Sequence, residues 1–321
     1  MRILSGIQPS GELHIGNYFG MIKRMVENQQ NGELFAFIVN YHAMTSLSDG
    51  KALRTNTLNA AVNMLSLGID PEKSVFWAQS DLPEVLELYW ILSNFTPMGL
   101  LERAHSYKDK TAKGIAANHG LFSYPVLMAA DILLFNADIV PVGKDQEQNM
   151  EMARHCARRF NNMYGVDFFP EPQSYYFSDS ALKVPGLDGS GKMGKSEGNC
   201  IYLHDDAKTI TKKVMKAVTD NGPATPNSEK PEVIQNLFTF LNIVSDKETY
   251  DYFNEKWNDC SIRYCDLKKQ IAQDIIKYTT PIRERILEYS ADTELMQKIA
   301  TEGAEKAHES AAKTLNEVRK I

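Results

Sequence analysis

The feature that most constrains the fold of this chain is an alternation of apolar runs with helical patterns over its first 143 residues. Short apolar runs are typical of buried strands, and longer stretches with helical periodicity separate them here. We predict strands at 3–7, 34–40, 74–79 and 139–143, and helices at 52–67 and 84–95. This alternation predicts an α/β fold, a doubly wound, Rossmann-like parallel sheet with helices on both faces.

Ligands of such sheets bind at the carboxyl ends of the strands. Four residues lie at the ends of predicted strands or just past them and could therefore share one pocket: Gln8, His42, Gln79 and Gly143.

A histidine-containing turn, His14-Ile15-Gly16-Asn17, lies between the first strand and a predicted helix at 18–26. Gly11 and Gly16 allow a ligand to approach the backbone, and the free N–H groups at a helix start favour an anion. The imidazole of His14 could donate a hydrogen bond to a phosphate oxygen. The alternative is an ordinary solvated turn histidine.

A second segment, residues 186–199, contains five glycines and two lysines, Lys192 and Lys195. Two lysines on a mobile loop can fold over a polyphosphate and neutralise it, although a flexible surface linker is the alternative. Residues 189–196 also match the P-loop pattern GxxxxGK[ST]. We reject a P-loop because Pro185 and Gly186 interrupt the preceding strand and Gly198 breaks the following helix.

Asp131 interrupts an apolar helical stretch, where a buried carboxylate needs a hydrogen-bond donor. The donor could be structural, a lysine or a backbone group, or it could be a substrate N–H. Tyr124 precedes Asp131 by two helical turns on the same face, and Gln146 follows the Gly143 turn.

The pattern along the chain divides it into three parts. Residues 1–199 form a nucleotide-binding domain with a helical insert at about 98–135 and the mobile loop 186–199. Residues 200–290 form a helical domain, interrupted at 221–227 by a turn-forming segment. Residues 291–321 form a last helix that we expect to pack back on the first domain.

The composition limits the partners. The net charge of -6 argues against indiscriminate nucleic-acid binding. Lys208, Lys212, Lys213 and Lys216 could contact RNA locally, but a solvated helix face is the simpler interpretation. Neither a signal region nor a membrane span is recognisable, and the four scattered cysteines lack metal-site spacing. We therefore expect a cytoplasmic protein without a tightly bound metal and without membrane association.

The two signature segments, HIGN early and KMGKS about 175 residues later, resemble the HIGH and KMSKS motifs of class I aminoacyl-tRNA synthetases. Residues 5–11, 124–131 and 140–146 are similar to those of bacterial tryptophanyl-tRNA synthetases, and the likeness covers almost the whole chain. The resemblance implies a tryptophan–tRNA ligase that forms tryptophanyl-adenylate from L-tryptophan and ATP, then charges tRNA(Trp). It also implies Mg²⁺ carried by ATP, anticodon binding by residues 200–290, and a homodimer.

The resemblance also assigns residues. In the family, an aspartate at the position of Asp131 accepts the indole N–H, and residues at Tyr124 and Gln146 bind the ammonium group. The whole tryptophan site is Leu4, Gly6, His42, Tyr124, Met128, Asp131, Val140, Val142 and Gln146. His14, Lys192 and Lys195 are the catalytic residues. The ATP site is Gln8, Ser10, Gly16, Asn17, Lys110, Gly143, Asp145, Gln146, Val184, Lys192, Met193, Gly194, Lys195 and Ser196.

Two positions depart from the motifs: Asn17 replaces the second histidine, and Gly194 replaces the serine of KMSKS. The glycine adds backbone freedom, so loop closure could be slower or looser. Three other functions stay open on the sequence. They are a tyrosyl-tRNA synthetase, disfavoured by the apolar Met128, a small-molecule nucleotidylyltransferase, and a non-catalytic RNA-binding relative.

Overall fold

The fold is given by a computed structural model, which describes residues 1–104, 118–176 and 184–321. The chain folds into two compact units. The first, here the sheet unit, comprises Met1–Gly11, Met25–Asp179 and Asp292–Ile321. The second, here the helical unit, comprises Glu12–Arg24 and Ser180–Ala291.

The sheet unit is built on five parallel strands in the order β3-β2-β1-β4-β5. The strands are β1 (Arg2–Ile7), β2 (Glu33–Ile38), β3 (Val75–Ala78), β4 (Ile139–Val142) and β5 (Gln173–Tyr176). Residues 34–38 of β2 are all buried, as expected for a strand covered on both faces. The doubly wound parallel sheet predicted from the sequence is confirmed.

Thirteen α-helices are found in the described residues. They are α1 (Ile15–Asn17), α2 (Lys23–Asn28), α3 (Asn40–Ala43), α4 (Gly50–Ser66), α5 (Glu84–Ser93), α6 (Met98–Glu102), α7 (His119–Leu134), α8 (Glu147–Tyr164), α9 (Ala207–Met215), α10 (Glu232–Val244), α11 (Lys247–Asn258), α12 (Tyr264–Ala291) and α13 (Thr293–Lys320). A π-helix at Tyr18–Ile22 and short 3₁₀ turns at Gln79–Asp81, Lys144–Gln146 and Lys195–Glu197 complete the elements.

Side-chain caps explain where several helices begin. Asp49 accepts hydrogen bonds from the amides of Lys51 and Ala52 at the start of α4, and Asn118 accepts one from Leu121 at the start of α7. These bonds satisfy N–H groups that have no partner within the helix.

The compact units differ from the domain boundaries expected from the sequence. Residues 12–24, which the sequence pattern assigns to the nucleotide-binding domain, group with the later helices because their backbone pairs with residues 201–203. Helix α13 belongs to the sheet unit, where it packs against β3 and α5. Its Gly303 lies so close to β3 that a Cβ would be 1.7 Å from the carbonyl oxygen of Phe76.

Two local expectations were wrong. Strand β5 was missed because its sequence, QSYY, is short and lacks an apolar run; its pairing with β4 defines it. The helix expected at 18–26 begins as a π-helix, and an α-helix continues from Lys23.

None of the described helices combines the length and the apolar character required to cross a membrane.

Candidate active site

His14 caps the first turn of the short helix α1 in the helical unit. Its side chain is 5% exposed, and its backbone N–H donates a hydrogen bond to Asn17 Oδ1 over 3.1 Å. Asn17 therefore closes the turn that holds the histidine.

The histidine turn is paired with the segment that follows the glycine-rich loop. The Ile15 amide donates to the Ile201 carbonyl, and the Leu203 amide donates to the Leu13 carbonyl, each over 3.0 Å. These bonds form an antiparallel bridge between His14 and Tyr202. The bridge fixes the end of the loop beside His14, although the two segments are remote in sequence.

Met193 in the loop and Val184 just before the loop are both buried. The Met193 amide donates a 2.9 Å hydrogen bond to the Val184 carbonyl. A Cβ on Gly16 would lie 3.4 Å from Met193 Cβ and 2.9 Å from His14 Nδ1. The absence of a side chain at Gly16 therefore leaves room between the imidazole and the loop.

The electrostatics of this cluster favour an anion. Burial, followed by the positive charges of Lys195 and Lys192, lowers the pKa of His14 to about 4. Burial also lowers the pKa of Lys195, against the charges of Cys200 and Glu12. His14 Nδ1 is buried, and none of the described residues supplies it with a hydrogen-bond partner. A buried, unsatisfied nitrogen beside two lysines is suited to binding a phosphate oxygen.

The loop lacks the geometry of a P-loop. Lys195–Glu197 form only a 3₁₀ turn, which ends at Gly198 with φ 66°, and the next described α-helix begins at Ala207. The rejection of the P-loop agrees with this geometry. Gly194 has an extended backbone, while Lys192 and Ser196 are exposed on the loop.

Asp131 is the central polar group of the sheet unit. It is 3% exposed and accepts two 2.9 Å bonds from Gln79 Nε2, one at each carboxylate oxygen. His42 Nε2 lies 2.8 Å from Asp131 Oδ2. Burial raises the pKa of Asp131, although the bonds to His42 and Gln79 oppose this shift. The structural donors are therefore two side chains rather than the lysine or backbone group considered from the sequence.

The apolar residues of the predicted tryptophan site share one core cluster with Ala130 and Ile132, the neighbours of Asp131 on α7. Leu4, Val140 and Val142 belong to the buried core, and Met128 packs against it. The Tyr124 ring contacts His42 edge-on, with centroids 5.9 Å apart. Gly6 is exposed, and a Cβ there would lie 2.7 Å from Val39 Cγ1.

Polar groups cluster after β4. A Cβ on Gly143 would lie 2.4 Å from Asp145 Oδ1, so the glycine leaves space for the Asp145 carboxylate to fold back towards the strand end. Gln146 Nε2 donates to Asp145 Oδ2, and Gln146 Oε1 accepts from Asn149 Nδ2, both over 2.8 Å. Gln8 and Ser10 are exposed after β1.

The structure thus places the predicted site residues in two sets. His14, Gly16, Asn17 and the loop residues belong to the helical unit, whereas the tryptophan set, Gln8, Ser10, Gly143 and Asp145 belong to the sheet unit. Lys110 lies outside the described residues. Gln79 was expected at a strand end, but neither its bond to Asp131 nor the bonds of Asn199 within the loop leave a pattern in the sequence.

Some basic residues are already engaged within the helical unit. Lys213 bonds Asp205 over 2.6 Å, and buried Lys268 donates to the Ala217 carbonyl. Lys208 and Lys212 are exposed on α9, and Lys216 is exposed at the residue that follows the helix. Across the described residues, no three His, Cys, Asp or Glu side chains gather as metal ligands.

Comparisons with known proteins identify the family of the chain. The model of the family described as "tRNA synthetases class I (W and Y)" matches residues 1–280. The tryptophan–tRNA ligase of Porphyromonas gingivalis is 57% identical over 320 residues, which are 99% of this chain and 98% of that protein.

Solved structures give the same result. The tryptophanyl-tRNA synthetase of Campylobacter jejuni, complexed with ADP and tryptophan, has a TM-score of 0.91 at 46% identity, covering 100% of this chain and 99% of that one. The tyrosyl-tRNA synthetase of Archaeoglobus fulgidus shares the fold, with a TM-score of 0.66 at 19% identity over 89% of this chain and 90% of that one. The chain belongs to the bacterial-type tryptophan–tRNA ligases of the class I aminoacyl-tRNA synthetases.

Proposed function

We propose that this tryptophan–tRNA ligase activates tryptophan with ATP through His14, Lys192 and Lys195, and then charges tRNA(Trp). In the first step, a carboxylate oxygen of tryptophan bonds to the α-phosphorus, and the bond from that phosphorus to the pyrophosphate oxygen breaks. In the second, a hydroxyl of the terminal tRNA ribose attacks the acyl carbon, loses its proton, and AMP leaves.

The observation that carries this proposal is the buried His14 Nδ1 beside the lysine loop, which has no hydrogen-bond partner in the part of the chain that the structure describes. The tryptophan carboxylate is already a nucleophile, so the enzyme must mainly position the reactants and stabilise charge on the phosphates. Neutral His14 donates a hydrogen bond to a phosphate oxygen, while the two lysines neutralise the leaving pyrophosphate. Mg²⁺ bound to the incoming ATP would supply further positive charge at the phosphates.

For the amino acid, we propose that Asp131 accepts the indole N–H. Among the described residues, Oδ1 accepts a bond from Gln79 alone, which leaves a lone pair for a further donor. Met128, Val140 and Val142 form apolar walls suited to a flat indole, and Tyr124 with Gln146 binds the ammonium group. Phenylalanine would leave Asp131 without this donor, so a pocket of this kind discriminates without editing.

We further propose that the nucleoside binds at Gln8, Ser10, Gly143, Asp145 and Gln146, and that Lys110 contacts phosphate. Residues 200–290 contact the tRNA anticodon, with the exposed lysines of α9 available to the RNA backbone. The enzyme acts in the cytoplasm, in keeping with its four free cysteines.

We also propose a homodimer. Helix α5 exposes Leu86 and Trp90 one turn apart, at 42% and 66% of their surfaces, and Met98 on α6 is 62% exposed. On α8, Met163 is exposed, and Tyr164 contacts Phe95 with ring centroids 6.0 Å apart. Large apolar side chains clustered at a surface favour a protein interface, here with a second copy.

The direct test is ATP–pyrophosphate exchange measured with tryptophan and tyrosine in parallel, without tRNA. We expect exchange with tryptophan and at least about 100-fold lower kcat/KM with tyrosine, followed by charging of tRNA(Trp). A preference for tyrosine, or tRNA binding without exchange, would overturn the proposal.

A further inference from the structure

The glycine-rich loop is organised around one buried side chain, Asn199, which is 6% exposed. Its Nδ2 donates to Asp188 Oδ1 and Ser190 Oγ over 2.9 Å and approaches the Lys192 carbonyl oxygen at 3.3 Å. Its Oδ1 accepts a 2.9 Å bond from the Gly194 amide. A single amide therefore connects four positions along the loop.

These contacts hold the backbone around the two lysines. The Lys192 carbonyl and the Gly194 amide are fixed on either side of Met193, and Lys195 follows directly. The turn at Lys195–Glu197 ends at Gly198 with φ 66°, and this left-handed residue brings Asn199 back under the loop. Gly194 has no side chain to restrict its backbone, so the bond from its amide to Asn199 helps to fix the path of the loop at this point.

We propose that Asn199 is a positioning residue that holds the loop so that Lys192 and Lys195 reach the triphosphate. The inference rests on the proposed role of these lysines and adds a residue that does not itself touch the substrate. Asparagine is suited to this position because it donates and accepts. Aspartate would lose both N–H donors and place a second carboxylate against Asp188.

The proposal predicts which step depends on Asn199. Lysines that neutralise pyrophosphate are needed while tryptophanyl-adenylate forms. They are not needed when tryptophan moves from the adenylate to tRNA, because pyrophosphate has already left. Loss of Asn199 should therefore slow activation selectively, whereas general damage to the fold would slow both steps.

The experiment measures both steps separately in the full-length Asn199→Ala enzyme. We expect single-turnover adenylate formation to slow by about 10- to 100-fold, in line with the cost of small misplacements. Transfer from preformed tryptophanyl-adenylate to tRNA should stay within about threefold of wild type, and tryptophan affinity should be unchanged. Equal slowing of both steps, or of neither, would overturn the proposal.

The matched control is Asn161→Ala. Asn161 on α8 also makes several bonds, donating to the Phe169 carbonyl and accepting from the amides of Phe168 and Phe169. Its loss should lower the melting temperature without a selective effect on activation. A selective effect in the control would contradict the assignment of Asn199.

Two further variants separate the possible failures. If Lys195→Ala does not slow activation, the proposed role of the lysines fails, whatever Asn199 does. If Asn199→Ala does not fold, Asn199→Asp is compared with the double variant Asp188→Asn, Asn199→Asp. The double variant places the donating amide at position 188 and the accepting carboxylate at position 199, the reverse of the native pair. We expect the exchange to recover at least a tenth of the lost activation rate. No recovery would contradict the proposal.

Discussion

At the residue scale, Asp131 shows how the structure refines an expectation drawn from the sequence. A buried carboxylate in an apolar helix requires a hydrogen-bond donor, and the side chains of Gln79 and His42 lie within hydrogen-bond distance of Asp131. Gln79 is itself oriented, because its Oε1 accepts a 3.1 Å bond from the Tyr41 amide. Periodicity placed each of these residues near a strand end or on a helix face. It could not give the distances between side chains from different elements.

The variant Gln79→Leu tests whether Asp131 must be held in place. We expect kcat/KM for tryptophan in exchange to fall by about 10- to 100-fold, since a hydrogen bond to a charged group contributes roughly 1.5–3 kcal/mol. Gln29→Leu is the matched control, because Gln29 bonds the Gly68 carbonyl, the Asp70 amide and Ser74. The control should lose stability only. An unchanged kcat/KM in Gln79→Leu would contradict the assignment.

His14 gives a prediction about pH. Its pKa is lowered from 6.5 to about 4, so the imidazole is neutral throughout the neutral range. We expect kcat/KM for ATP to show no acidic limb from His14 between about pH 6 and 8. A limb near pH 6.5 that disappears in His14→Asn would contradict this. The His14 side chain of the unfolded chain, with its pKa of 6.5, binds a proton at a higher pH than that of the folded chain. The free energy of unfolding therefore decreases as the pH falls from 6.5 towards 4.

At the element scale, the sequence located four of the five strands and most helices, because apolar runs and helical periodicity reflect burial directly. Strand β5 has no such pattern and exists through its pairing with β4. The bridge between Leu13–Ile15 and Ile201–Leu203 could not be predicted either, because pairing across such a separation leaves no local pattern. The motifs alone suggested that the turn and the loop act together.

The variants Gly16→Ala and Gly191→Ala test this juxtaposition as a matched pair. A Cβ at Gly16 would lie 2.9 Å from His14 Nδ1, whereas at Gly191 the nearest atom, Glu232 Oε1, is 3.7 Å away. We expect Gly16→Ala to slow adenylate formation by at least about tenfold through displacement of the imidazole. Gly191→Ala should keep its rate within about threefold. Equal effects of the two substitutions would count against the arrangement.

At the scale of the whole molecule, the compact units do not follow chain order. The residues after His14 group with the later helices, while α13 returns to the sheet unit. Composition and periodicity describe neighbours along the chain, so they predicted contiguous domains. The comparisons establish the family over nearly the full length, and the remaining proposal at this scale is the homodimer.

Trp90→Glu tests the dimer. A charge placed at this exposed apolar position should disrupt a shared interface, and we expect light scattering to show a shift from dimer to monomer. Leu287→Glu is the control, since Leu287 is 55% exposed on α12 in the helical unit. It should remain dimeric. A wild-type monomer, or a dimer unaffected by Trp90→Glu, would contradict the proposed interface.

Under the proposed mechanism, His14, Lys192 and Lys195 all bind one triphosphate. A crystal structure with a non-hydrolysable ATP analogue tests it most directly. We predict that the imidazole and both ammonium groups each lie about 2.7–3.2 Å from oxygens of the same triphosphate chain. An analogue bound with His14 or both lysines directed away from its phosphates would contradict the account.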